Sequence, residues 1–439
     1  MSRLPTHLSL PAHQVTTRHL GAAYPLLTES GLGSRGVVIG NDLLGGSFVY
    51  DPFELYAQGV VSNPNMIVFG QIGRGKSALV KTYLWRQAVF GRRAWVIDPK
   101  GEYGSLAEAW GVRPVALHPG GSVRLNPLDP APDPFGASGR AEDGPRGRDE
   151  SEPADRRRTE LLASLASASL GRDLRPRERV AIDLALGAVE ARRHVPTLPE
   201  VVDALLSPSA DAARSVRTES TALLEDGRDV ALELRRLVHG DLRGMFDGPT
   251  TEGLDLSGPL VVLDLSALYR SPALGVMMVC ATAWLQAALA RDVTAGRRAG
   301  QVILVVDEAW AILANLAVAR WLQASWKLSR AYGVANVAVL HRLSDLGAVG
   351  AAGSEQVGLA QGLLADSETR VIYAQPPGEV ADAGGLLSLS ETEAELVPQL
   401  RRGVGLWKVG QRSFLVNHVL GREERRLVDT DGAMIDPPR

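Results

Sequence analysis

Cysteine is almost absent from this chain: 439 residues contain one, Cys280. That excludes a disulfide framework and a multi-cysteine metal site, and it agrees with a reducing compartment. The apolar neighbours of Cys280 read as core. An excess of one charge is lacking too. Lys and Arg total 47 against 50 Asp and Glu, a formal net charge of -3. Composition therefore carries no global signature of nucleic-acid affinity, and any DNA contact has to be local. There is no uninterrupted apolar run of about 18 residues, the length a membrane helix needs. The nearest approach, Ala273 to Ala290, includes Thr282 and Gln286 and follows a strand-like run, so it is expected to be a buried helix covering a sheet. The opening segment, Met1 to Gln14, lacks the apolar centre of a signal peptide. A cytoplasmic location is expected, with peripheral attachment to the inner face of the cytoplasmic membrane as a variant.

What is present is organised around Asn65 to Phe90. Gly70, four residues, then Gly75, Lys76 and Ser77 follow the apolar run Met66 to Phe69 and precede a helical pattern. This is a Walker A loop between strand and helix. A phosphate chain carries several negative charges, and a loop that wraps it needs inward N–H groups without intervening Cβ atoms, which Gly70, Gly73 and Gly75 permit. The expected nucleotide-binding stretch is Gly70, Gln71, Ile72, Gly73, Arg74, Gly75, Lys76, Ser77 and Ala78. Lys76 reaches the β- and γ-phosphates as a point charge, and the Ser77 hydroxyl binds Mg²⁺. The bland alternative is a Gly-rich turn that happens to end in Lys-Ser.

The length allows one large α/β domain with an insertion, or two domains. Residues 1–35 are rich in Pro, Thr and His and read as a flexible N-terminus. Gly36 to Leu55 reads as a β-hairpin laid against the main domain. The first part of the core spans 36–128. Within it, Arg93 to Gly104 is an apolar run ending in Asp98, the way a buried parallel strand delivers polar groups to the carboxyl edge of a sheet. Asp98, Lys100 and Glu102 are thus expected near the phosphates. Ser105 to Trp110 reads as a short helix and Arg113 to His118 as a strand.

Residues 129–158 hold few large apolar side chains and many Pro, Gly and mixed charges, and read as a disordered loop. Residues 159–246 read as an all-helical insertion, with helical spacing over Glu160 to Gly171, Pro176 to Arg193, Thr197 to Leu206 and Asp229 to Phe246. The second part of the core, 247–439, returns to strands. These are Pro259 to Leu265, Gln301 to Val306, Val334 to Leu340, Arg370 to Gln375, Val404 to Val409 and Ser413 to His418, the last two a closing hairpin about Gly410-Gln411. Strands alternating with helices argue for an α/β fold with a doubly wound, mostly parallel sheet.

Val302 to Leu313 is the second decisive element. An apolar strand ending in Asp307-Glu308 is a Walker B segment. Asp307 holds the hydration shell of Mg²⁺, and Glu308 polarises the water that attacks the γ-phosphate. The alternative is that both merely cap the next helix. In ATPases that work as oligomers an arginine from the neighbouring subunit meets the transition-state charge. Arg330 is the preferred candidate and Arg370 the second; either can instead make a surface ion pair. His341, ending the strand Val334 to Leu340, is a candidate sensor of the γ-phosphate, or a cap or core histidine.

The ordered set of Walker A, Ile97 to Tyr103 (IDPKGEY), Asp307 to Trp310 (DEAW) and Ser329 to Gly333 (SRAYG) resembles the FtsK/HerA superfamily of hexameric motors. Leu125 to Pro130 (LNPLDP), Met245 to Thr250 (MFDGPT), the GVGLWKVGQRSF ending and DTDGAM resemble its type IV secretion and conjugal transfer ATPases. The likeness spans roughly residues 36 to 435 by motif order. It implies a RecA-like core, a hexameric ring with ATP and Mg²⁺ at subunit interfaces, and Arg330 as the arginine acting in trans. Two departures stand out. The superfamily ends its sensor strand in Thr-Gln where this chain has His341-Arg342, and the large N-terminal domain of the secretion ATPases is missing, leaving at most about the first 60 residues as a remnant.

The first functional expectation is therefore an ATPase energising a type IV secretion or conjugation apparatus, with channel proteins at the membrane as partners. The second is a translocase or helicase acting on duplex DNA, against which near-neutral charge and the lack of a basic tail weigh. The third is a nucleotide-dependent structural subunit, against which Glu308 weighs.

Overall fold

In the computed structural model of this chain the described residues are 31–128, 148–192, 195–240, 242–254, 258–269, 271, 273–294, 301–309, 319–320, 322–323, 326–327, 333–341 and 355–428. Most of the expected flexible N-terminus, and residues 129–147 of the expected loop, lie outside them.

Eleven strands of the described residues form one sheet. They are β1 (Val37–Asp42), β2 (Ser47–Tyr50), β3 (Met66–Phe69), β4 (Arg93–Asp98), β5 (Val115–Ala116), β6 (Leu260–Asp264), β7 (Val302–Val306), β8 (Val334–Leu340), β9 (Thr369–Ile372), β10 (Val404–Val409) and β11 (Arg412–His418). Their order is β2-β1-β11-β10-β9-β3-β8-β7-β4-β6-β5. From β9 to β5 all neighbours run parallel, and β10, β11, β1 and β2 add an antiparallel edge. Every residue of β3, β4, β7 and β8 is buried, because helices cover both faces; this is why these strands read as continuous apolar runs.

Alternation along each strand divides the core in two. Ile67, Phe69, Trp95, Ile97, Leu304 and Val306 face α9 (Leu274–Thr294), which is the buried helix expected there and takes Cys280 into the same core. Met66, Val68, Val96, Val305, Val337 and Val339 face α2 (Lys76–Gln87) and α3 (Gly104–Ala109). The fold is the RecA-like α/β arrangement, and among the described residues no helix is long and apolar enough to cross a membrane.

The N-terminal hairpin is a strand pair of the main sheet, since β1 pairs with β11 in the register Asn41↔Asn417. It is also shorter than expected. Asp51 accepts from the N–H groups of Phe53 (2.9 Å) and Glu54 (3.0 Å), and Pro52 occupies the first turn, so Pro52–Ala57 is helix α1. The strand expected over Arg113 to His118 shrinks to Val115–Ala116, because Pro114 and Pro119 cannot donate to a ladder.

The insertion is helical: α4 (Arg148–Leu170), α5 (Pro176–Glu190), α6 (Leu198–Leu206), α7 (Ala210–Ser215) and α8 (Ser220–His239). Helix α4 starts inside the stretch read as a disordered loop. A charged segment with nothing to bury still extends a helix whose later turns are packed, since propagation costs far less than nucleation. Helix α8 starts nine residues before the expected Asp229 and includes Gly227. A Cβ at Gly227 would lie 3.1 Å from Ala181 Cβ and 3.2 Å from a Leu205 methyl, so this glycine serves close helix packing and not a break. Helix α7 escaped the periodicity reading because it is six residues long. Met245 and Phe246, whose spacing continued the helical pattern, belong to a buried return segment beyond α8.

That segment explains two sequence phrases. Leu125 N–H donates to Met245 O (2.8 Å), Arg124 N–H to Thr251 Oγ1 (2.8 Å), Asn126 N–H to Thr250 Oγ1 (2.9 Å), and Arg124 Nε to Asp247 Oδ1 (2.9 Å). LNPLDP and MFDGPT thus fasten the two ends of the insertion to each other.

At the opposite end of the sheet, Arg86 of α2 holds three segments together. It pairs both carboxylate oxygens of Glu424 (2.6 Å each) and donates to the carbonyls of Val38 (2.6 Å), Ile39 (3.1 Å) and Val419 (2.6 Å). Replacing Arg86 by Ala leaves a nearly buried Glu424 unpaired and is expected to cost about 3 kcal/mol in chemical denaturation. Lys at the same position is expected to recover less than half, since it cannot pair bidentately.

Candidate nucleotide site

Strand order fixes which chain ends meet. β8 lies between β3 and β7, with Phe69 opposite Leu340 and Val306 opposite Ala338, and β4 flanks β7 with Ile97 opposite Val306. The residues that end or follow these strands, Asp98 at the end of β4 and Gly70, His341 and Asp307-Glu308 just past β3, β8 and β7, therefore emerge side by side at one carboxyl edge.

The loop Gly70 to Gly75 has the backbone of a phosphate cradle. Gly73 and Gly75 have φ of 77° and 113°, the left-handed region that favours glycine. At Gly70 a Cβ would come within 2.6 Å of Tyr373 Cβ and 3.3 Å of Lys76 Cγ, so nothing larger fits. Gln71 N–H donates to Ala374 O (3.3 Å), Arg74 Nη2 to Gln71 Oε1 (3.3 Å), and Gly403 N–H to Arg74 O (3.0 Å), which straps the loop to the turn before β10. Ile72 is exposed at the loop tip. Lys76 opens α2 with Ser77 and Ala78, so the helix N-terminus points its free N–H groups into the cradle. The Lys76 ammonium is nearly buried and donates to the carbonyls of Gly70 and Gln71 (3.1 Å to the latter). Burial pulls it down to about 8, against the opposing charges of Asp307 and Glu308.

Asp307 is buried, and its Oδ1 accepts the N–H of Glu308 (2.9 Å). Burial, with Glu308 and Asp98 nearby, pushes its carboxyl up to about 7. A divalent cation would reverse that shift, which is the environment expected of a carboxylate that holds Mg²⁺. The glycine cradle, Lys76, Ser77 and Asp307 fit a nucleotide with its metal.

Asp98, expected near the nucleotide, is bonded to the backbone of the loop that follows it. Its Oδ1 accepts from the N–H groups of Lys100 (3.2 Å), Gly101 (2.9 Å) and Glu102 (3.2 Å), and its Oδ2 from Tyr103 N–H (2.9 Å). Both oxygens take part in shaping the loop after β4. Glu102 sits half-buried in that loop and contributes negative charge to Lys76 and to Lys81. Lys81 is fully buried, with no hydrogen-bond partner for its ammonium among the described residues, and lies 5.6 Å from the centre of the Tyr103 ring.

Glu308 has a left-handed φ of 52°, uncommon for a residue with a Cβ. Its Oε1 pairs with Lys100 Nζ and lies 2.6 Å from His341 Nε2. The other ring nitrogen, Nδ1, is 3.0 Å from Lys76 Nζ. An Nε2–H tautomer satisfies both contacts: it donates to Glu308 and accepts from Lys76. Lys100 Nζ also lies 3.1 Å from His341 Nε2. Burial alone would push the Glu308 carboxyl up; the bonds from His341 and Lys100 outweigh it and hold it at about 2. His341 thus joins Lys76 to Glu308, and its carbonyl accepts from Gln375 Nε2 (3.1 Å).

Arg330 lies outside the described residues. Arg370 Nη1 donates to Leu387 O (3.1 Å) and Nη2 to Leu364 O (3.0 Å) within its own chain, while its Nε has no hydrogen-bond partner among the described residues. Sequence reasoning gave no role to Gln375, whose signal was a polar residue just past a strand, nor to Lys81, which a helical pattern presents as one more surface lysine.

No protein-family profile matches this sequence, and no curated protein sequence matches it. Among solved structures it is similar to VirB4 of Thermoanaerobacter pseudethanolicus, with 22% identity and a TM-score of 0.70 over 90% of this chain and 100% of that one. The bacterial conjugative coupling protein TrwBdeltaN70 in complex with sulphate aligns over 89% of each chain, with 16% identity and a TM-score of 0.58. The plasmid coupling protein TrwB in complex with ADP and Mg²⁺ aligns over 89% of this chain and 90% of that one, with 16% identity and a TM-score of 0.56. The chain therefore has the RecA-like fold found in VirB4 and the TrwB coupling proteins.

Proposed function

We propose that this protein is an ATP-hydrolysing motor subunit of the FtsK/HerA kind that energises a type IV secretion or conjugative transfer apparatus. The observation that carries the reading is the convergence of Lys76, Asp307, Glu308 and His341 at one carboxyl edge of β3, β8 and β7. The fold likeness to VirB4 and to the TrwB coupling proteins, one of them in complex with ADP and Mg²⁺, supports the choice of apparatus and of ligand. The bound Mg²⁺ supplies charge neutralisation at the phosphates. Lys76 leaves the carbonyls of Gly70 and Gln71 for the β- and γ-phosphates. Ser77 and Asp307 would hold the metal, Asp307 through its hydration shell. Glu308 orients the attacking water, and His341 aligns Glu308 with Lys76. The working form is a homohexamer with its ATP sites at subunit interfaces, where Arg330 of a neighbouring copy meets the γ-phosphate.

Lys76→Ala removes a charge-assisted contact to the phosphates and is expected to weaken ATP binding by about 10- to 100-fold in calorimetry. Unchanged affinity sinks the cradle assignment. Steady-state hydrolysis is expected to be slow, indifferent to added duplex or single-stranded DNA, and lowered about 100-fold or more by Glu308→Gln, which still binds ATP. Strong stimulation by DNA would move the assignment to a translocase acting on duplex DNA. In mixtures of inactive Arg330→Ala and inactive Glu308→Gln subunits, part of the activity is expected to return. No recovery in mixed rings removes the arginine's role in trans.

A further inference from the structure

Lys100 stands in an unusual position. Its loop is not a slack connection: Asp98 accepts four consecutive backbone N–H groups, from Lys100 to Tyr103, and Gly101 has a left-handed φ of 72° with Ser266 Cβ 3.2 Å from where its own Cβ would stand. The base of the side chain is thereby fixed. Its ammonium lies over the Tyr269 ring, 5.7 Å from the ring centre. The side chain is 22% exposed, so the ammonium keeps room to turn, whereas the Glu308 side chain it pairs with is 1% exposed. Lys100 and Lys76 flank a single imidazole, one within 3.1 Å of Nε2 and the other within 3.0 Å of Nδ1.

A terminal phosphate received by Lys76 arrives beside that ring with more negative charge than Glu308 carries. In a site of low effective dielectric, a lysine within reach of both goes to the stronger anion. We propose that Lys100 reads the γ-phosphate: it pairs with Glu308 when the site is empty or holds a diphosphate, and exchanges to the terminal phosphate when a nucleoside triphosphate binds. The exchange releases Glu308 Oε1, the oxygen that Lys100 and His341 share in the empty site. Only the side chain rotates, since the loop stays capped by Asp98. No covalent bond forms or breaks in the exchange. Product release returns Lys100 to Glu308, so an idle subunit keeps its glutamate engaged. The inference rests on the nucleotide-site reading above and extends it to triphosphate recognition.

The test is a comparison of two affinities in the full chain with Mg²⁺ present. Calorimetry with ADP and with a non-hydrolysable ATP analogue is run on the unaltered protein, Lys100→Met and Lys100→Arg. In Lys100→Met the ratio of analogue Kd to ADP Kd is expected to rise by about 10-fold or more while ADP affinity holds within about twofold. Lys100→Arg is expected to keep most of the discrimination. A role confined to shaping the loop would weaken both ligands alike, and a ratio unchanged in Lys100→Met overturns the proposal. Should Lys100→Met not fold, Lys100→Gln, which retains a hydrogen-bonding tip, must show the same rise or the proposal falls. An unaltered protein that binds neither nucleotide removes the underlying reading and this proposal with it, whereas ADP binding with an unchanged ratio removes this proposal alone.

Discussion

The parallel register of β3, β8, β7 and β4 is the constraint on which the rest depends. Each strand ends within a residue or two of its neighbours at the same edge, β3 leading into the glycine loop, β4 ending in Asp98, and β7 and β8 leading into Asp307 and His341. Slipping one of these strands by a single residue would reverse its faces, putting Val68 and Val305 among the partners of Phe69 and Val306. The two apolar layers thus enforce the alignment of the site. No separate scaffold is required to bring Lys76 and Glu308 to the same imidazole.

A second constraint is charge balance in a place with little water. Lys76, Lys81 and Lys100 face Asp98, Glu102, Asp307 and Glu308. The arrangement tolerates this density because the acidic groups have unlike partners. Asp98 is satisfied by backbone N–H groups, Glu308 by Lys100 and His341, and Asp307 keeps a raised carboxyl beside the position assigned to the metal. Burying ionic groups is costly unless each is hydrogen-bonded, and Asp98 and Glu308 each are, Asp98 by the backbone that follows it and Glu308 by Lys100 and His341.

Much of this is legible in the sequence. Strands covered on both faces announce themselves as apolar runs, and the polar residues that end them, Asp98, Asp307 and His341, can be picked out from the amino-acid order alone. Other features depend on which elements become neighbours, and periodicity does not encode that. Helical spacing is read only from Asp229 onward, and the packing of Ala181 and Leu205 against Gly227 shows why the helix already runs through that glycine. The hairpin of β1 and β2 reads as an appendage, yet β11, far away in the chain, makes it part of the sheet. Asp98 falls at the expected edge, but its bonds to the N–H groups of Lys100 to Tyr103 depend on how that loop curls. The pairing of Lys100 with Glu308 needs strand order as well as motif, since β4 and β7 are adjacent only after folding.

The bond from Gly403 N–H to Arg74 O makes the phosphate loop and the turn before β10 a single mechanical part. β10 is bonded to β11, β11 to β1 and β1 to β2, so an unbroken hydrogen-bonded lattice runs from the cradle to the far edge of the sheet. Hydrogen-bonded strands resist sliding far more than side chains resist rotation. A displacement imposed at either end of this lattice would pass from strand to strand, and the register irregularity between Val38 and Gly40 in the β1–β2 pair is the place along it where the ladder can give.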